Sequence, residues 1–134
     1  MKKERALPIL MRGTAVAMGA SLGLSHLLFP SRYFDLLGQA GWDSTDPFHR
    51  FLAHVVGVLV LALCAGLWHA AHDPRRYRLV IGQFFIASAL IVPVYLYHLI
   101  FTGAIGGMEW FVLVGVVALN YGFIRLYPGA DYKG

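Results

Sequence analysis

Arg50 to Trp68 reads RFLAHVVGVLVLALCAGLW. Past Arg50 it contains no Lys, Arg, Asp or Glu, and an apolar run of roughly 20 residues is what one helical crossing of a bilayer requires. Three more stretches of the same kind lie around it, at Leu7 to Phe29, Leu79 to Thr102 and Glu109 to Tyr127. These four stretches take up nearly all of the 134 residues, and little sequence remains for a soluble domain. Composition agrees: 58% hydrophobic residues against 13% charged is hard to reconcile with a water-soluble globule of this size. The expectation is one all-α integral membrane domain over residues 1–134.

Met1-Lys2-Lys3-Glu4-Arg5 has the charge of a secretory signal peptide's start. Arg12, however, interrupts what would be its apolar core, the run continues to Phe29, and no clear small-x-small cleavage site follows. The first stretch is therefore read as a retained transmembrane helix. Of the 11 Lys and Arg residues, only Arg32 and Arg50 fall in the first connection or at its edge. The rest gather at the two termini and around Arg75-Arg76-Tyr77-Arg78, so the positive-inside rule puts both termini in the cytoplasm. A net charge of +4 then serves to hold juxtamembrane segments against anionic lipid, and nucleic acid is not expected as a partner. Cys64 is the single cysteine, which excludes a disulfide framework and a thiolate metal site; it reads as a small buried apolar residue.

The connections set the topology. Ala71 to Arg78 and Gly103 to Met108 are short, so consecutive helices return beside one another and the four form an up-down-up-down bundle. Pro30 to His49 is long and aromatic, with Tyr33, Phe34, Leu36, Leu37 and Trp42. It is expected to lie in the membrane interface as a lid, with Asp46 or Thr45 capping the next helix and Pro47 in its first turn. Gly13, Ala17, Gly19 and Gly23, and Ala53, Gly57, Ala62 and Gly66, have the spacing that lets membrane helices approach closely. An inverted-repeat transporter is disfavoured, because two halves of two helices each would run parallel.

Each helix places ionisable groups on a stripe of helical period. Arg12, Ala15, Gly19, Gly23 and His26 form the first, Arg50, His54, Leu61 and Ala65 the second, Ser88, Tyr95, His98 and Thr102 the third, and Glu109, Leu113, Val116 and Asn120 the fourth. Hydrocarbon offers polar groups no partners, so these stripes should face the bundle interior or a neighbouring subunit. His26, His54, His98 and Glu109 come at matching depth, and Pro93 should kink the third helix just before Tyr95 and His98. His69 and His72 end a helix, where a cation suits the carbonyl terminus.

Three ligand classes are compatible with that cluster. His26, His54, His98 and Glu109 carry donors for a metal ion such as zinc, iron or copper, although no HExxH or ExxH spacing supports it. His54 and His98 are the best pair to ligate a b-type haem. His54, Tyr95, His98, Glu109 and Arg50 could hold a quinone that enters sideways from the lipid. A purely structural role, hydrogen bonding between helices near the wet interface, stands beside all three.

A glycine-rich first helix ending at Leu28-Phe29-Pro30, the aromatic first loop, Arg50 with Gly57 in helix two, the Ala70-Ala71-His72-Asp73-Pro74-Arg75-Arg76 turn and an acidic residue opening helix four together resemble the DoxX-like group of small four-helix membrane proteins. That resemblance covers most of the chain and implies a bacterial inner-membrane protein, in some cases a quinone-linked redox subunit. The intramembrane histidines match no pattern of that group. The expected function is an accessory or redox-assisting subunit packed against larger membrane partners or a second copy of itself. The alternatives are an autonomous small membrane oxidoreductase and a channel or transporter component.

Overall fold

The computed structural model describes residues 3–37, 42–43, 45–103 and 109–128. Every regular element among them is helical. Helix α1 (Lys3–Met18) passes through a π-helical stretch (Gly19–Leu24) into α2 (Ser25–Leu28), and the three make one long helix. The chain breaks at Phe29, turns, and forms the short α3 (Pro30–Leu37). Then come α4 (Pro47–Ala70), α5 (Arg78–Tyr97) with a π-helical end (His98–Thr102), and α6 (Glu109–Leu126). Four of these helices are long and apolar enough to cross a membrane: Arg5–Leu28, Pro47–Ala70, Arg78–Thr102 and Glu109–Leu126.

Local chemistry explains where they stop and start. The Asp46 carboxylate accepts the Phe48 N–H at 2.8 Å and Pro47 takes the first position, so α4 begins about one turn before Arg50. Between α4 and α5, the Asp73 carboxylate accepts the Arg76 N–H at 3.1 Å and its carbonyl accepts the Tyr77 N–H at 3.1 Å. The helix that begins at Arg78 runs on through Pro93, and its irregularity comes later, at His98–Thr102. There Gly103, at φ 60°, donates its N–H to the His98 carbonyl and ends the helix in the left-handed conformation that glycine adopts without strain. The rest of that third connection lies outside the described residues.

The long helices pack in a closed cycle, first on second, second on third, third on fourth and fourth on first. Their apolar core gathers toward one end, where Leu7, Met11 and Ala15 meet Cys64, Leu67 and Ala70, with Ile81, Phe84 and Phe123. Cys64 is thus a buried core residue, as expected. Large apolar side chains such as Leu59, Leu90, Val114 and Ile124 cover the outside, an exterior suited to hydrocarbon.

The first and second long helices touch backbone to backbone. A Cβ at Gly57 would lie 2.8 Å from the Gly23 carbonyl oxygen and 2.9 Å from the Leu27 nitrogen. The spacing of small residues therefore serves a contact within the chain at Gly19, Gly23 and Gly57, whereas a Cβ at Gly13 would meet nothing within 4 Å. This close crossing fixes which face of α4 is buried: Ala53, Gly57, Cys64, Leu67 and Ala70. The stripe expected to face inward, Arg50, His54, Leu61 and Ala65, is rotated off that face; Arg50 and Ala65 are exposed and His54 and Leu61 half-buried. On the first helix, Ala15, Gly19, Gly23 and His26 are buried as expected, but Arg12 is exposed and lies 5.8 Å from the Trp68 ring centre. The fourth stripe is buried throughout, at Glu109, Leu113, Val116 and Asn120.

Candidate functional site

Polar groups collect at the end of the bundle opposite the apolar core, beneath α3. His26 is 8% exposed, and its Nδ1 donates to the Leu22 carbonyl at 2.7 Å, which leaves Nε2 as the acceptor. The π-helical stretch before it carries Gly19 and Gly23, so the histidine follows directly from the segment that meets α4. Tyr33 and Phe34 of α3 lie against its ring, with centroids at 4.4 Å and 5.1 Å. Phe34 packs on Trp42 at 4.1 Å and Trp42 on His49 at 5.7 Å, so a run of rings ties α3 to the start of α4. His49 accepts the Asp43 N–H at 3.0 Å, while Asp43 holds the Thr45 N–H and hydroxyl at 2.8 and 2.7 Å. The described part of the first connection thus covers His26.

Glu109, the first residue of α6, is only 1% exposed. The Tyr95 hydroxyl hydrogen-bonds to its carboxylate, and Tyr33 is near enough to both to feel their charge. Burial pushes the Tyr33 phenol well above its ordinary 10, with Tyr95 and Glu109 adding to the shift. A carboxyl group, two phenols and an imidazole therefore surround one small region at the meeting of α2, α3, α5 and α6. Sequence reading picked out His26, Tyr95 and Glu109 but gave Tyr33 only a covering role. Its place near Tyr95 and Glu109 depends on the direction α3 takes after Phe29, which no periodicity reveals.

The remaining predicted residues go elsewhere. His98 is half-buried, and its Nδ1 donates to the Thr102 hydroxyl at 3.0 Å, which in turn donates to the His98 carbonyl at 3.1 Å. Both bonds stay within one π-helical turn. His54 and Arg50 line a cavity of about 230 Å³ whose other walls are Leu28 to Arg32 at the corner between α2 and α3. The predicted cluster thus divides between the Tyr95–Glu109 region and the Arg50–His54 cavity, with His98 bonded within its own turn. Among the described residues no group of three or more His, Cys, Asp or Glu is gathered to hold a metal ion. His69 and His72 sit at the helix end near Tyr77, with His72 donating to the His69 carbonyl at 3.1 Å.

Deeper in the bundle, the Ser88 hydroxyl lies 2.7 Å from the Asn120 amide oxygen and 2.9 Å from the Phe85 carbonyl. A hydroxyl has one proton to give. With the amide turned over, Asn120 donates one N–H to Ser88 and Ser88 donates to Phe85, so each contact has one donor and one acceptor. This pair joins α5 to α6.

No family model matches the chain, and neither a curated protein nor a solved structure matches it.

Proposed function

We propose that this chain is a small multi-pass membrane subunit that accompanies larger membrane partners and holds the head group of a quinone at the Tyr95–Glu109 pair. The observation that carries the reading is the burial of Glu109, hydrogen-bonded to Tyr95, under Tyr33 and at the edge of an otherwise apolar bundle. An ionisable group so placed is expensive, and an apolar side chain would pack there at no such cost. A carboxyl–phenol pair can both donate and accept. It matches a ring that presents carbonyl acceptors when oxidised and hydroxyl donors when reduced, and the rings of His26, Tyr33 and Phe34 offer flat faces beside it. In this role the protein binds, orients and exchanges a proton at Glu109 or Tyr95. The electrons belong to the partner.

We place both termini and Arg75 to Arg78 on the cytoplasmic face of a bacterial inner membrane in an up-down-up-down arrangement, a reading that the short connections and the uneven spread of Lys and Arg support. The DoxX-like layout supports the same placement. Helix α3 then lies at the opposite interface, its aromatic side toward the bundle. The metal and haem readings have less geometric support, since His54 and His98 are engaged in different surroundings.

The test is solvent extraction of protein purified with its native lipid, together with quenching of tryptophan fluorescence by an added short-chain quinone. Wild type should carry or bind quinone, and Tyr95→Phe and Glu109→Gln should each weaken binding by about tenfold, as for one lost charge-assisted hydrogen bond. No extractable quinone and no saturable quenching in the folded wild type would remove the reading.

A further inference from the structure

The cavity formed by Leu28 to Arg32, Arg50 and His54 lies apart from the Tyr95–Glu109 pair and has its own chemistry. Arg32 and Arg50 are permanent cations, and no carboxylate lines the space they share. Among the described residues neither has a carboxylate within ion-pair distance; Asp46, the nearest acidic residue in sequence to Arg50, is 3.8 Å from the His49 Nε2 and accepts the Phe48 N–H. Both arginines also stand where the backbone field opposes them. Arg32 is in the first turn of α3 and Arg50 in the first turn of α4, and neither turn contains an acidic residue. The positive end of a helix dipole disfavours a cation at such positions. They are, moreover, the two basic residues that break the charge asymmetry of the chain. Both side chains are exposed at this cavity, and among the described residues no carboxylate is set against them there.

We infer that this cavity is a binding site for a phosphate group, held by Arg32 and Arg50 with His54 and the Ser31 hydroxyl as further donors. The donors come from two elements, α3 and α4, and so approach from two sides. A tetrahedral oxyanion accepts from several directions at once, whereas a planar carboxylate is served by one fork. The volume of about 230 Å³ leaves room for a phosphate and part of what it esterifies. Arg32 is steadied over the Phe29 ring at 6.0 Å, and Leu28 and Phe29 at the rim are more than half exposed. An apolar rim beside a cationic cavity suits an acyl-bearing phosphate, and the same donors serve a free phosphate. Neither source depends on the quinone reading.

Full-length protein is reconstituted in nanodiscs of equal parts phosphatidylglycerol and phosphatidylcholine, and the lipid retained on release is measured by native mass spectrometry. In parallel, inorganic phosphate is titrated into delipidated protein in neutral detergent while thermal unfolding is followed. A lipid phosphate gives preferential retention of phosphatidylglycerol. A soluble phosphate gives saturable stabilisation without lipid preference. In whichever arm responds, Arg32→Gln and Arg50→Gln should each reduce the response about tenfold, and Arg76→Gln in the other connection should leave it unchanged. Where a variant fails to fold, wild type is treated with phenylglyoxal, and the anion should protect Arg32 and Arg50 but not Arg76. No response in either arm from folded wild type overturns the proposal. So does an unchanged response in folded variants, or modification of Arg32 and Arg50 indifferent to the anion.

Discussion

Replacing Gly57 by alanine tests the crossing that positions everything at the α3 end. The added Cβ would stand 2.8 Å from the Gly23 carbonyl oxygen and 2.9 Å from the Leu27 nitrogen, both backbone atoms that no rotamer change can move. Ordinary contact begins at 3.4 Å, so the helices must separate by 3.4 − 2.8 = 0.6 Å. A gap of about 0.5–1 Å forfeits a quarter to a half of each dispersion contact along the seam, and overpacking of this kind costs about 1–3 kcal/mol. Alanine's better helix propensity returns about 1 kcal/mol, for a net loss of up to about 2 kcal/mol. Gly23→Ala meets the Leu61 side chain at 2.7 Å, which can turn away, so its loss should be smaller. Gly13→Ala meets nothing within 4 Å and should gain up to about 1 kcal/mol. Unfolding in mixed dodecyl maltoside and dodecyl sulfate micelles, followed by circular dichroism, ranks the three. If Gly57→Ala is as stable as Gly13→Ala, the helices do not cross there.

Two further predictions rest on buried hydrogen-bonding groups. A double-mutant cycle on Ser88→Ala and Asn120→Ala should give a coupling of about 0.6–1.7 kcal/mol in the same unfolding assay, the range for interhelical side-chain pairs in membrane proteins; additive losses would mean that the two do not bond. Tyr33 has its phenol pKa raised by burial, then by Tyr95 and Glu109, so the folded state holds the proton more tightly than the unfolded one. Its contribution to stability is complete below pH 10 and is lost as pH climbs beyond that value. The ultraviolet tyrosinate signal of wild type minus that of Tyr33→Phe should therefore rise well above pH 10, and a difference rising at 10 would contradict the burial of Tyr33.

The contrast between α6 and α4 shows what hydropathy can convey. On α6 the polar residues themselves lie on the packing face, so the period of Glu109, Leu113, Val116 and Asn120 identified the buried side. On α4 nearly every side chain is apolar, and hydrophobicity cannot tell one face from another. Avoidance of lipid by polar groups predicts that the stripe through Arg50 and His54 points inward. Close packing instead follows the smallest residues, Ala53 and Gly57, since these let the first helix approach. One residue of offset is about 100° of rotation, enough to carry His54 from the axis to the flank and into the arginine cavity. The helices themselves were legible from length and apolarity, and Asp46 and Pro47 marked where α4 starts. The end of the first helix at Phe29 was legible too, whereas the placing of Tyr33 beside Tyr95 and Glu109 was not.

Because the chain turns at Phe29, α3 has two jobs that its sequence keeps on neighbouring residues. Arg32 faces the cavity shared with Arg50 and His54, while Tyr33, one position and about 100° further round, packs on His26 and lies near Glu109. Phe34 then continues the ring contacts to Trp42, and Trp42 to His49. Removing a ring from this series would loosen the cover and disturb both places together, so loss of binding in Tyr33→Ala or Phe34→Ala would identify neither. Substitutions that keep volume discriminate between them. Tyr95→Phe preserves the ring and removes only the hydroxyl that meets Glu109, whereas Arg32→Gln retains a polar side chain and removes only the charge. If the first affects quinone alone and the second phosphate alone, α3 is a rigid partition between two independent sites. If each affects both ligands, α3 moves as a unit and the sites are coupled through it.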